Sequence, residues 1–163
     1  MIFKTFLIFA ALLCSLVAGF LFAFAVVATP GIGRLNDRSF IRAFQVIDGV
    51  IQDKQPIFLF VWVGSAVSLI LAAVFGFTEI AGADRSILIA AAIVHLLGVQ
   101  LPTARINIPL NNRIQALNLD QLNDQETSSA RVEFEGKWNR WNVVRTVVAT
   151  AIAMMLDLLL LRM

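Results

Sequence analysis

Two stretches of this sequence place carboxamide, indole and guanidinium groups at helical spacing beside long apolar runs. The first is RINIPLNNR, residues 105–113, which closes the apolar run SILIAAAIVHLLGVQLP. Thr103, Asn107 and Asn111 are four apart and share one face if the helix persists. Pro109 removes a backbone donor and frees the carbonyl of Arg105, so a kink is expected there. A freed carbonyl in a membrane is tolerated only where protein or water satisfies it, which predicts a packed or cavity-lining position. The second stretch is WNRWNVVR, residues 138–145, where Trp138, Trp141, Asn142 and Arg145 fall on roughly one face. The loop between them joins the two segments on one membrane side, so two amide- and aromatic-bearing faces can meet near one interface. For either tryptophan alone the competing reading is an interfacial belt residue, and Arg145 alone could snorkel. Taken together, the set points to a site, because unpaired polar groups are costly in lipid.

Two further regions reach the same side. Pro30 and Gly31 form a turn closing the first apolar run, and Gln45 and Asp48 sit three apart on an amphipathic helical pattern. His95 falls near the bilayer middle of its run at a rise of roughly 1.5 Å per residue. It is a functional candidate as an intramembrane ionisable group, and a neutral histidine bonded to a neighbouring helix is the alternative.

The elements that must position these groups are transmembrane helices. The chain has 163 residues, 59% of them apolar, and a mean hydropathy of +0.82. A soluble domain this apolar would expose large sticky patches, so an all-α integral membrane four-helix bundle in one domain is expected. Spans needing roughly 20 apolar residues fall at about 6–28, 57–77, 87–110 and 143–161. The first is too long for a signal-peptide core and reads as a retained helix. Asp37 is the expected cap of an amphipathic interfacial helix in the first loop, with Phe40, Ile41, Phe44, Ile47 and Ile51 on one face. A second amphipathic segment is expected in the third loop, running through Phe134, Trp138 and Trp141. Small residues recur every fourth position at Ala11, Ser15, Gly19 and Ala23, and again at Gly64, Ser68, Ala72 and Gly76. Such ridges suit close packing inside the bundle, with homodimerisation as the alternative.

Charge and cysteine usage narrow the function. A net charge of +2 implies no nucleic-acid partner. One cysteine, Cys14, and one histidine, His95, exclude a cysteine cluster or an all-histidine metal site within one chain. Ten of the 13 Lys and Arg residues lie on the side of the first and third loops, leaving Lys4, Arg85 and Arg162 opposite. That bias predicts cytoplasmic long loops and outward termini, as in a bacterial inner membrane. Membrane lipid is an expected partner, and a homo-oligomer or a larger membrane complex is compatible with the small-residue ridges. Transport is disfavoured, because no charged pathway beyond His95 and Asp157 and no inverted repeat is visible.

TPGI closing the first helix, FQVID followed by PIF opening the second, NIPLNN ending the third and WNRWNVVRT opening the fourth occur in that order. In these motifs the chain resembles the anthrone oxygenase-like family of small membrane proteins, also known as a domain of unknown function. The resemblance spans nearly the whole chain. Thr29 stands where the family usually has methionine, and Asp48 where it usually has asparagine. The resemblance implies a four-helix membrane protein and oxidation of a planar, lipid-soluble anthrone-, phenol- or quinone-like molecule by O2 without a cofactor or metal. Carried onto this chain, it implies that Asn107, Asn111 and Asn142 donate to the substrate oxyanion and that Arg145 stabilises its charge. Trp138 and Trp141 would cover the ring, with Gly31 and Gln45 beside them, and Asp48 or His95 would be the base. The alternative is a noncatalytic accessory or lipid- or quinone-binding subunit of a larger complex.

Overall fold

The computed structural model of the protein describes residues 2–163. Five helices carry the fold: α1 (Ile2–Ile32), α2 (Asp37–Gln52), α3 (Pro56–Glu79), α4 (Gly82–Gln115) and α5 (Asp124–Leu160). All but α2 are long and apolar enough to cross a membrane. The chain is thus an all-helical integral membrane protein built as a four-helix bundle. Its outer faces carry exposed apolar side chains such as Val27, Phe60 and Val147, which suit a lipid surround.

The bundle has two ends of different character. At the end holding both termini, Phe3, Leu7, Leu69, Leu88 and Leu156 form a purely apolar core. At the other end α2 lies across the tips of α4 and α5. There Phe40, Ile41 and Phe44 pack on Leu110, Ile114, Phe134 and Trp138. Asn36, not the expected Asp37, caps α2: its side chain accepts from the Ser39 amide at 2.9 Å. Asp37 instead receives Arg131 Nη1 at 3.0 Å. Arg131 also donates to the carbonyls of Gly33 and Leu35 and stacks over the Phe40 ring, so one side chain of α5 fastens the α1–α2 turn.

The third loop is far shorter than expected. Its amphipathic segment is no separate helix but the first half of α5, one 37-residue helix. At about 1.5 Å per residue this helix is about 55 Å long, well beyond the roughly 30 Å hydrocarbon thickness. Asn123 and Glu126 form a reciprocal capping box that starts it, and no proline interrupts it before the fourth span. The helix therefore runs unbroken from the polar layer into the membrane.

Prolines shape α1 and α4 differently. Three wide turns occur, at Phe24–Ala28, Leu96–Gln100 and Thr103–Asn107. In each, the residue just before a proline donates five positions back: Thr29 to Phe24, Leu101 to Leu96 and Ile108 to Thr103. Pro30, Pro102 and Pro109 follow directly. A proline ring clashes with the carbonyl four residues earlier, and a wide turn displaces that carbonyl while keeping the helix continuous. The kink expected at Pro109 is thus one of three such accommodations.

The two small-residue ridges have different fates. Ser68, Ala72 and Gly76 of α3 are buried against the bundle. Gly19 and Ala23 of α1 are exposed, so the second half of that ridge meets no helix of this chain. At Gly76 a Cβ would lie 2.7 Å from the Phe3 ring and 3.0 Å from Leu88. Gly76→Val is expected to lower stability by about 1–3 kcal/mol through overpacking. At Gly19 a Cβ would meet nothing within 4 Å. Gly19→Ala is expected to be neutral or stabilising by up to about 1 kcal/mol. Thermal unfolding of both variants in detergent checks the contrast.

Candidate functional site

All five helices contribute to one cavity of about 190 Å³ beneath α2. Its walls are aromatic. Phe20 lies 5.2 Å from Phe58, and Phe58 stacks on Trp62 at 5.5 Å. Phe44 meets Trp138 edge-on at 5.4 Å, and Phe24 tilts against Trp138 at 5.7 Å. Into this apolar space Asp48, Thr103, Asn107, Asn111, Asn142 and Arg145 bring polar groups.

Arg145 defines one wall. It is 4% exposed. Nη1 donates to Thr103 Oγ1 at 2.8 Å and Nη2 to Asn142 Oδ1 at 3.2 Å. Thr103 in turn donates to the Val99 carbonyl, and Asn142 Nδ2 donates to the Leu21 carbonyl, which fixes both acceptors. Arg145 Nε is buried without a partner among the described residues. Among the described residues no carboxylate lies within ion-pair distance of this guanidinium. A buried cation with neutral partners alone carries a desolvation cost that a bound anion would offset in part. Asn107 adds a second unsatisfied group. Its Nδ2 donates to the Trp138 carbonyl at 3.4 Å, and its buried Oδ1 has no partner.

Asp48 defines the opposite chemistry. It is 3% exposed and makes no ion pair among the described residues. Asn111 Nδ2 donates to Oδ1 at 2.7 Å, while Gln115 and Gln52 donate to Oδ2 at 3.0 and 3.1 Å. Asn111 is itself held from behind, because Trp138 Nε1 donates to its Oδ1 at 2.7 Å. A continuous chain therefore runs Trp138–Asn111–Asp48 across α5, α4 and α2. The cavity thus holds an unneutralised cation and a separate carboxylate within aromatic walls.

The structure brings six of the ten expected site residues to the cavity: Asp48, Asn107, Asn111, Trp138, Asn142 and Arg145. Four lie elsewhere. Trp138, Asn142 and Arg145 form an i, i+4, i+7 stripe, and half-buried Trp141 falls beside it. Gly31 is exposed beyond the wide turn, and its carbonyl accepts from Arg34 N. Gln45 ties α2 to the end of α4, donating to the carbonyls of Ile114 and Leu117 at 2.8 and 3.0 Å. His95 is buried deeper in the bundle, with Nε2 3.3 Å from Ser65 Oγ and 3.1 Å from Gln100 Nε2. Sequence reasoning missed Gln52 and Gln115. Each lies four residues beyond a chosen residue, Asp48 and Asn111, so following those faces one turn further would have found them. It also missed the walls supplied by Phe20, Phe24, Phe58 and Trp62, which look like ordinary lipid-facing aromatics in sequence.

Fold and site define a four-helix membrane protein with an aromatic cavity lined by a buried cation at one end of the bundle. A family model described as anthrone oxygenase matches residues 55–155. That is more than half of the chain, which therefore belongs to the anthrone oxygenase family. The matched segment carries Trp62, Asn107, Asn111, Trp138, Asn142 and Arg145, whereas Asp48 and Phe44 precede it. No curated protein and no solved structure matches the chain.

Asn111 links both halves of the polar network, so its loss has a defined cost. Asn111→Leu strips one donor from Asp48 and leaves Trp138 Nε1 buried without an acceptor. A loss of about 1–3 kcal/mol is expected for each group left unsatisfied. Thermal unfolding with Trp138→Phe in a double-mutant cycle measures it, and the two losses are expected to be strongly non-additive.

Proposed function

We propose that this protein oxidises a planar, lipid-soluble anthrone-like or phenolic substrate with O2, without a further cofactor. The observation that carries this reading is Arg145: a buried guanidinium with neutral partners only, facing the same aromatic cavity as a buried carboxylate. The family membership supports it.

The chemistry follows from these groups. In an anthrone the ring CH2 opposite the ketone is acidic, because its carbanion delocalises onto the ketone oxygen. Asp48 takes one proton from this carbon. The charge develops on the ketone oxygen, where Arg145 stabilises it, with the remaining amide hydrogens of Asn107 and Asn142 as further donors. The electron-rich ring gives an electron to O2, and recombination forms a C–O bond. Asp48 returns its proton to the peroxide. Loss of the second C–H proton breaks the O–O bond, leaving a new ketone and one water. One substrate CH2 and one O2 thus become one C=O and one H2O. Aromatic walls hold the ring flat and keep water away from the carbanion. A cavity of about 190 Å³ is smaller than the roughly 300–1,000 Å³ of drug-sized ligand sites and suits a compact fused-ring system.

The bias of Lys and Arg toward the α2 side supports placing that side, and the cavity, at the cytoplasmic face of the membrane. A single reporter cysteine at Asn118, in a Cys14→Ser background, is expected to react with an impermeant thiol reagent only after the membrane is opened. Labelling in intact cells would reverse this orientation.

Protein in detergent or nanodiscs is expected to accelerate conversion of anthrone to anthraquinone under O2, followed by its absorbance. Arg145→Leu is expected to lower kcat by about 10²–10³-fold, the scale of removing one oxyanion donor. Asp48→Asn is expected to lower it by about 10²–10⁴-fold, the scale of general-base loss. Rates equal to those of the parent in both variants would sink the oxygenase reading and favour a noncatalytic ligand-holding subunit.

A further inference from the structure

Asp48 is held in an unusual way for a buried carboxylate: among the described residues every hydrogen-bond partner it has is a neutral carboxamide. An ionised carboxylate offers about four acceptor positions, two per oxygen. Oδ2 receives both Gln115 and Gln52, while Oδ1 receives Asn111 alone. The vacant position is therefore on Oδ1. Gln115 is the better fixed of the two Oδ2 donors. Its single amide nitrogen also donates to the Gln45 carbonyl at 2.9 Å. Both of its hydrogens face acceptors, so a flipped amide would set oxygen against oxygen. Gln52 is exposed and shares its nitrogen with Asn112 Oδ1 at 3.2 Å.

We propose that Gln115, which lies outside the cavity, is the positioning residue for Asp48: it occupies Oδ2 and leaves Oδ1 as the atom that takes the substrate proton. This rests on the reading of Asp48 as the base. The other charged groups near Asp48 are few. Arg145 of α5 lines the same cavity. Arg105 and Arg113 of α4 and Lys54 of the α2–α3 turn are exposed and form no ion pair with it among the described residues. On α2 itself Arg42 pairs with Asp120 and Arg38 with Asp124. At the start of α2 and on the facing part of α5, Asp37 and Glu135 are engaged by Arg131. Removing a donor from Oδ2 therefore acts on a carboxylate with no ion pair to compensate, and protonation becomes easier.

The test compares Gln115→Met with Gln45→Met in the full-length protein. Gln45 anchors α2 on the Ile114 and Leu117 carbonyls and its side chain does not touch Asp48, so its variant reports docking alone. Two readouts are taken: the pH dependence of anthrone oxidation, and infrared titration of the Asp48 carboxyl band, recognised by its disappearance in Asp48→Asn. In Gln115→Met, kcat is expected to fall about tenfold with KM within about twofold, the pattern of a lost interaction with the reacting group. The acid limb and the carboxyl band are both expected to move to higher pH. Gln45→Met is expected to lower the thermal midpoint without moving either. A Gln115→Met band that titrates with the parent's, or an equal shift in Gln45→Met, overturns the assignment. Absence of anthrone oxidation by the parent overturns the proposed function instead, and the infrared comparison still decides the role of Gln115. Should Gln115→Met fail to fold, Gln115→Glu serves. Its ionised carboxylate repels Asp48, so an unshifted band in that variant also overturns the proposal.

Discussion

Arg145 is the constraint around which this end of the bundle is organised. A guanidinium cannot shed its charge, and here it sits inside a helix bundle with no carboxylate beside it among the described residues. Burying it requires fixed acceptors, and each of those needs its own anchor. Thr103 is tied to the Val99 carbonyl, and Asn142 to the Leu21 carbonyl. The cation thereby sets the relative placement of α1, α4 and α5 near the cavity. It does so with two neutral partners, a threonine hydroxyl and a carboxamide oxygen, and leaves Nε over.

The carboxylate is kept apart from that cation by architecture. Asp48 enters on α2, a helix that crosses no membrane and is held to the bundle by two kinds of contact. Phe40, Ile41 and Phe44 give an apolar seat, while Gln45, Asp48 and Gln52 exchange hydrogen bonds with Asn111, Asn112, Gln115 and the last carbonyls of α4. Carboxamides carry both donors and acceptors and no charge, so they can dock a helix at the polar layer without neutralising the acid they surround. Cation and carboxylate thus serve one cavity from different walls.

The wide turns explain how α1 and α4 reach that cavity. Phe24, Thr103 and Asn107 belong to such turns and line it. A wide turn rotates the face that follows it, and insertions of this kind recur at functional sites. Pro30, Pro102 and Pro109 make the wide turns necessary, so the rotation is written into the covalent chain.

Much of this was legible beforehand, and the limits have physical causes. Hydropathy and length specify four spans because lipid tolerates little else across its core. Spacing by four placed Asn107 and Asn111 on one face, and spacing by three placed Asn142 with Arg145 on another, since helical periodicity is local. The same logic could not say which aromatics turn inward. Trp62 and Phe58 have the composition of lipid-facing residues, and only the packing of α3 against α1 directs them into the cavity. Nor could it say that Trp141, one residue from the stripe, would miss the cavity, or that His95 would lie too deep. Periodicity does not report the rotation of a helix about its own axis once wide turns and neighbours have set it. The sequence by itself determined the spans, the polar faces and the prolines that bend them, because these depend on neighbours along the chain. Only the tertiary structure decided that, among the described residues, Arg145 meets no acid and Asp48 meets only amides. Those facts depend on which helices come to lie side by side.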